Sequence, residues 1–323
     1  SCVQAWRWNL DYVVDVHGNA EALYYDAETN KYTRNGTTVV SYTRGGQLDH
    51  IDYGLSASNV YGTNAAGDRV LLGYDTYGRC NDATHANCTS ESITAAATAP
   101  AHPTAYPDVP FDQLCTGTTC TEKSPSFFTD GMLDTVTTKA LISGSYQTVD
   151  VWTLSLSFPA PGDGSNAALW LTKVARTGSA AGQTSITEPA TVFSGVTMQN
   201  RVYVPNGTVP LDKWRISSIQ TSLGGVISVN YSAQQCTSAG AAAIEASPWS
   251  NTNWCFPAWW TPGVLGAPAP PEDLFHKYVV TSTVTDPKTG GGLDQPQETD
   301  YVYGTPRWRY DTSPFTPDAQ RTW

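Results

Sequence analysis

Long apolar runs are missing from this sequence: no stretch approaches the roughly 18 apolar residues of a membrane-spanning helix, so membrane insertion is not expected. Charge is scarce, with Asp, Glu, Lys and Arg making up 15% of the chain, too little to coat the outer faces of many helices. Positive charge is scarcer still. Against 29 Asp and Glu stand 18 Lys and Arg, and the net charge of −11 repels nucleic acid and anionic lipid surfaces. The compact catalytic signatures are also missing: there is no G-x-S-x-G elbow, no H-E-x-x-H, no P-loop and no G-x-G-x-x-G. No cysteine spacing is C-x-x-C, and the five histidines (His17, His50, His85, His102 and His276) never fall at i, i+4. Neither a metal nor a cofactor is therefore expected. The histidines read as turn or surface residues, His276 alone being kept as a possible acid or base among Asp273, Phe275 and Lys277. The first residues, Ser1 to Trp6, have neither the basic nor the apolar region of an export signal, and an excised piece of a longer polypeptide is the favoured expectation.

What is present is the vocabulary of strands and turns. Gly (27) and Pro (21) punctuate short runs rich in Val, Thr, Tyr and Trp. Val13–Val16 reaches a turn at His17-Gly18-Asn19 and returns through Ala22–Tyr25, the pattern of a hairpin. The same logic pairs Ile216–Ile219 with Val226–Tyr231 across Gly224-Gly225, and Lys277–Val284 with Asp300–Tyr303 across Asp286-Pro287 and Gly290–Gly292. Val151–Phe158 is the cleanest strand, followed beyond Pro159–Gly162 by Ala168–Leu171, and no helix of comparable strength is seen. The fold class expected is all-β, built of consecutive antiparallel hairpins in a shell-like or sandwich sheet with long Pro-rich loops. Two Pro-rich stretches suggest a division into a hairpin-rich region (1–92), a linker (93–110), a central β region (111–255), a loop (256–272) and a C-terminal hairpin region (273–323).

Seven cysteines occur, and six form close pairs in sequence: Cys80 with Cys88, Cys115 with Cys120, and Cys236 with Cys255. Read as local disulfides, they imply an oxidising, extracellular or cell-surface location, with Cys2 left over. A cluster of tryptophans around Cys255 offers one binding motif: Trp254, Trp259 and Trp260, with Trp249 nearby, can present a sugar-stacking platform or plug the mouth of a β shell. Carboxylates for a hydrolase are always available among 29 acidic residues, but Asp49 and Asp52 stand at odd strand spacing and point to opposite faces.

Asp15-Val16-His17-Gly18-Asn19 followed by Tyr24-Tyr25-Asp26, and then Tyr74-Asp75-Thr76-Tyr77-Gly78-Arg79, resemble the Tyr-Asp repeats of Rhs and teneurin-type proteins. Asp286-Pro287, Asp300-Tyr301-Val302-Tyr303 and Trp308-Arg309-Tyr310-Asp311 look like a more degenerate copy, and the middle of the chain looks like the non-repeat segment of large actinobacterial members. The resemblance implies hairpins wound into a spiral sheet that encloses a passenger, often a toxin. It departs from the family in having few copies and no visible self-cleaving core. The function expected is a non-catalytic β-scaffold of a secreted or cell-surface protein, whose partners are the remainder of a longer polypeptide or a passenger toxin. The alternatives are a carbohydrate-binding module, with a glycan as partner, and a secreted hydrolase with a site assembled from distant residues.

Overall fold

The computed structural model describes residues 5–62, 65–90, 100–179, 183–204, 208–259, 272–292, 294–307, 309–310 and 321–322. It divides into two compact units, the first made of residues 1–159 and 167–190, the second of residues 160–166 and 191–323.

In the first unit the strands are β1 (Tyr12–Val14), β2 (Asn19–Arg34), β3 (Thr38–Ser56), β4 (Asp68–Tyr74), β5 (Leu133–Ile142), β6 (Ser145–Ser157), β7 (Trp170–Gly178) and β8 (Ile186–Thr187). Each pairs antiparallel with its predecessor, so spatial order repeats sequence order. The first expected hairpin is present as β1–β2, with Val14 opposite Ala20, and the cleanest expected strand is β6, paired with β7. A small core of Ala20, Ala22, Leu55, Val60 and Ala66 lies under the first three strands. A second, Tyr106, Val109 and Phe111, gathers under the Pro-rich loop between β4 and β5.

The second unit contains β9 (Thr191–Gln199), β10 (Asp212–Gln220), β11 (Val226–Tyr231), α1 (Ser238–Ala246), β12 (Cys255–Trp259), β13 (Glu272–His276), β14 (Val280–Asp286), β15 (Gln297–Asp300), β16 (Arg309–Tyr310) and β17 (Arg321–Thr322). The order β9-β10-β11-β14-β15 contains the other two expected hairpins, while β12–β13 and β16–β17 are separate two-stranded sheets. Between β11 and β14 the chain leaves the ladder to build α1 and β12–β13, which enclose Val202, Cys236, Ala241, Cys255 and Leu274. The helix is a finding that hydrophobic periodicity does not reveal. Its sequence, Ser-Ala-Gly-Ala-Ala-Ala-Ile-Glu-Ala, forms a helix through alanine's low conformational cost.

The fold is all-β in its sheets, and the burial of the strands is unusual for a sealed sandwich. Every residue of β4, and all but the last of β5 and of β10, is half-buried. A strand with one face on a closed core would instead alternate buried with exposed. Disulfides join Cys80 to Cys88, Cys115 to Cys120 and Cys236 to Cys255, as the spacing suggested, and Cys2 lies outside the described residues. No described helix is long and apolar enough to cross a membrane.

Candidate functional site

The Tyr-Asp motifs turn out to carry turn chemistry. Asp15 Oδ1 accepts the backbone N–H groups of His17 and Asn19 at 2.8 and 2.9 Å, Asp75 Oδ1 accepts that of Tyr77 at 2.7 Å, and Asp286 Oδ1 that of Lys288 at 2.9 Å. An Asp placed so supplies an acceptor where the strand ladder ends, and the glycine three residues on closes the turn with a positive φ, +83° at Gly18 and +58° at Gly78. Hydrogen bonds from Asn19 hold the Asp15 carboxyl below its usual range. Arg79, ending the second motif, forms an ion pair with Asp108 and so fastens the turn to the loop that follows. The second Asp108 oxygen also accepts the Leu169 N–H at 2.9 Å.

The most elaborate polar site lies in the first unit, where residues 111–131 cross the β2–β3 hairpin. Half of β2 reads as polar, and its inward-facing residues are met by this strap: Asn30 Nδ2 donates to Gln113 O at 2.9 Å, Cys115 N donates to Asn30 Oδ1 at 2.9 Å, and Thr33 Oγ1 donates to Cys120 O at 2.6 Å. Further along, β3 makes a bulge. Glu28 lies opposite Gly45 and Thr29 opposite Thr43, so Arg44 is the extra residue and has no strand partner. The bulge aims the Arg44 guanidinium into the hairpin–strap contact, where Nη2 meets Asp130 Oδ1 at 2.8 Å, Nη1 meets Glu28 Oε1 at 3.2 Å and the Phe128 carbonyl at 2.7 Å, and the ring of Phe128 lies 4.5 Å beneath. Thr129 Oγ1 donates to Glu28 Oε1 at 2.9 Å and Gln47 Nε2 to the same oxygen at 3.3 Å.

Two carboxylates and one guanidinium are thus enclosed together, Glu28 being 3% exposed. Burial raises the Glu28 carboxyl above its usual range; the hydrogen bond with Asp130 pushes the same way, and Arg44 opposes both. Above the cluster is a cavity of about 420 Å³, walled by Trp6, Phe127, Phe128 and Tyr74. Glycine at positions 45 and 131 lets the Glu28 carboxyl and the Gln47 amide pack directly on the backbone, since a Cβ at either position would force those side-chain ends to shift. The two carboxyl groups touch rather than flank a gap, so this is not the spaced acid–base pair of a glycosidase. The arrangement clamps the strap onto the hairpin.

The residues singled out from sequence are placed as follows. Trp254 is half-buried, its ring edge-on to Tyr303 at 5.7 Å, and Trp249 is exposed. Trp259 ends β12 opposite Glu272, while Trp260 lies outside the described residues. His17, His85 and His102 are exposed in turns and loops, as expected. His50 and His276 are not. His50 sits in β3, stacked on Tyr24 at 4.3 Å, with Asp49 Oδ2 2.5 Å from Nδ1 and Asp52 Oδ2 3.9 Å from Nε2. Asp49 reaches the same imidazole as Asp52 because a second bulge leaves it without a partner in β2. His276 is buried at 5% exposure, and burial, with Arg215 nearby, lowers its pKa and keeps it neutral. Among the described residues no group of His, Cys, Asp and Glu is arranged to hold a metal ion.

No protein-family model and no curated protein matches the sequence. Among solved structures, the chain is similar to TcdB2-TccC3-TEV (12% identity, TM-score 0.34, 84% of this chain) and to TcdB2-TccC3 (12% identity, TM-score 0.33, 91% of this chain). It spans 14% of the length of each of those chains.

Proposed function

We propose that this chain is a non-catalytic β-scaffold, a segment of a secreted or cell-surface protein of Rhs type that encloses or displays a passenger polypeptide. The observation that carries this reading is the ladder itself, in which successive strands pair in sequence order and β4, β5 and β10 are half-buried almost throughout. Such strands form a wall with contents or solvent on either side, and do not form the two inward faces of a closed sandwich. The turn-forming Asp15, Asp75 and Asp286 support it, because a wall of hairpins needs the same reversal at each end. The three disulfides fit an oxidising location.

Protease protection of the intact native gene product tests this. With residues 1–323 in place the passenger resists a limiting amount of protease, and deletion of this segment exposes it. Equal digestion of both forms overturns the proposal, as does a gene product of these residues alone that crosslinks to no second polypeptide.

A further inference from the structure

Where the strap crosses β3, a hydroxyl, a carboxyl and a carboxamide meet in an order that clamping does not require. The Thr129 hydroxyl has one proton and two lone pairs. The proton goes to Glu28 Oε1 at 2.9 Å, one lone pair accepts the Gly131 N–H at 3.2 Å, and the other is left to Gln47, whose Nε2 lies 3.5 Å away. Gln47 is poorly served as an ordinary amide. Its Nε2 reaches Glu28 Oε1 at 3.3 Å, so both of its contacts are longer than the roughly 2.7–3.2 Å of a good N–H···O bond. Its Oε1 is buried without a hydrogen-bond partner, on a residue 7% exposed. A buried carboxamide so weakly met calls for an explanation. One oxygen, Glu28 Oε1, is meanwhile within reach of both the Thr129 hydroxyl and the Gln47 nitrogen.

We propose that Thr129 and Gln47 join covalently, as a side-chain ester that ties the strap to the β2–β3 hairpin with loss of ammonia. Thr129 Oγ1 attacks Gln47 Cδ while its proton passes to Glu28 Oε1. The C–N bond then breaks, and Glu28 hands the proton to Nε2, which departs as ammonia. An O–H and a C–N bond are exchanged for a C–O and an N–H bond, Glu28 ends as it began, and no oxidant or co-reactant enters. Cδ is one bond beyond Nε2, and the terminal torsion of glutamine is broad, so turning the carboxamide brings the carbon to the separation of about 3–3.5 Å that attack requires. A carboxyl carries protons best when its pKa lies near the ambient pH; burial and Asp130 move Glu28 that way, while Arg44 Nη1, 3.2 Å from the same oxygen, opposes them. Gly131 admits the geometry, because a Cβ there would fall among Nε2, Cδ and Oε1 of Gln47. Thr129 is exposed and with Gln47 lines the cavity of about 420 Å³, so the ammonia has a way out and the reverse attack lacks its reagent. The two joined residues are 82 apart in sequence, and reductant, which opens the three disulfides, leaves this link intact.

The experiment is mass spectrometry of the folded whole chain. After reduction of the disulfides its mass is expected about 17 Da below that of the sequence, the loss of one ammonia. Tryptic peptides 45–69 and 124–139 emerge joined, and hydroxylamine separates them, as it does an ester and not an amide. The joined pair is absent from Thr129→Val and present in Thr129→Ser, which keeps the hydroxyl. In Glu28→Gln, checked for an unchanged circular dichroism spectrum, it forms about a hundredfold more slowly, the contribution of one positioned proton carrier. The full sequence mass with both peptides free in the parent chain overturns the proposal. So does a joined pair in Thr129→Val, one that resists hydroxylamine, or joining at the parental rate in folded Glu28→Gln; the parent chain and the two Thr129 variants decide it even if Glu28→Gln fails to fold.

Discussion

Arg44 owes its position to one extra residue in β3, and that single insertion brings a cation to two buried carboxyl groups. Removing the cation while leaving both acids enclosed is costly: Arg44→Met is expected to lower stability by about 3–5 kcal/mol, read from the shift of the urea midpoint. The pH response has a definite sign. Because burial and Asp130 raise the Glu28 pKa in the folded state, the protonated carboxyl favours folding. That contribution is complete below the unfolded value of about 4.3 and is lost as pH rises through the raised folded value. Urea midpoints measured from about pH 4 to pH 8 should therefore fall less in Glu28→Gln than in the parent chain; an identical profile would contradict the assignment. Asp82 runs the other way. Held at about 2 by hydrogen bonds from Thr84 and Asn87, it favours folding above its unfolded value and loses that contribution as pH falls through about 2. None of this site was legible in sequence. The period-two pattern breaks at Arg44-Gly45-Gly46, and the partners Asp130 and Thr129 lie far along the chain, so no local spacing connects them. The signal that sequence reasoning passed over is the paired glycine Gly45-Gly46 inside a long strand, a mark of close backbone approach.

At the scale of elements, the hairpins and the disulfides were legible because each depends on neighbours in sequence: a turn residue, an alternating run, a short cysteine spacing. The second half of β2, Asp26 to Arg34, was not. Its inward side chains are Glu28, Asn30 and Thr33, which satisfy a strap instead of packing in oil, so no apolar alternation announces the strand. The strap's own staple should matter in proportion. Replacing Cys115 and Cys120 together with Ser is expected to cost about 2 kcal/mol, and the wider Cys236–Cys255 loop about 3 kcal/mol, both measurable by denaturant titration without reductant. The first pair should also speed proteolytic cleavage within residues 113–131, whereas the second should leave that segment as resistant as before. Turn geometry offers a smaller test: Gly78→Ala places a Cβ at a φ of +58° and should cost roughly 1–2 kcal/mol in thermal or urea unfolding.

At the largest scale, the cores among the described residues are three small clusters, two in the first unit and one in the second, so each unit leans on strand pairing for cohesion. Hydrogen exchange should accordingly be slowest at Asp68–Leu71 of β4, Thr135–Ala140 of β5 and Asp150–Thr153 of β6, which are paired on both sides, and should quicken first around α1 and β12–β13 when reductant opens Cys236–Cys255. Uniform quickening of every strand would show a single cooperative body instead. Sequence order within each ladder also bears on how the chain is made. A strand whose partner is always the one just completed needs no later segment to slot between earlier ones, so a polypeptide emerging gradually from a ribosome or a secretion channel can set its structure as it arrives. In the second unit β11 departs from this, since its mate β14 comes only after residues 232–279. There the growing edge must wait for a segment that contains both Cys236 and Cys255, so the disulfide closes a loop lying wholly within the delay.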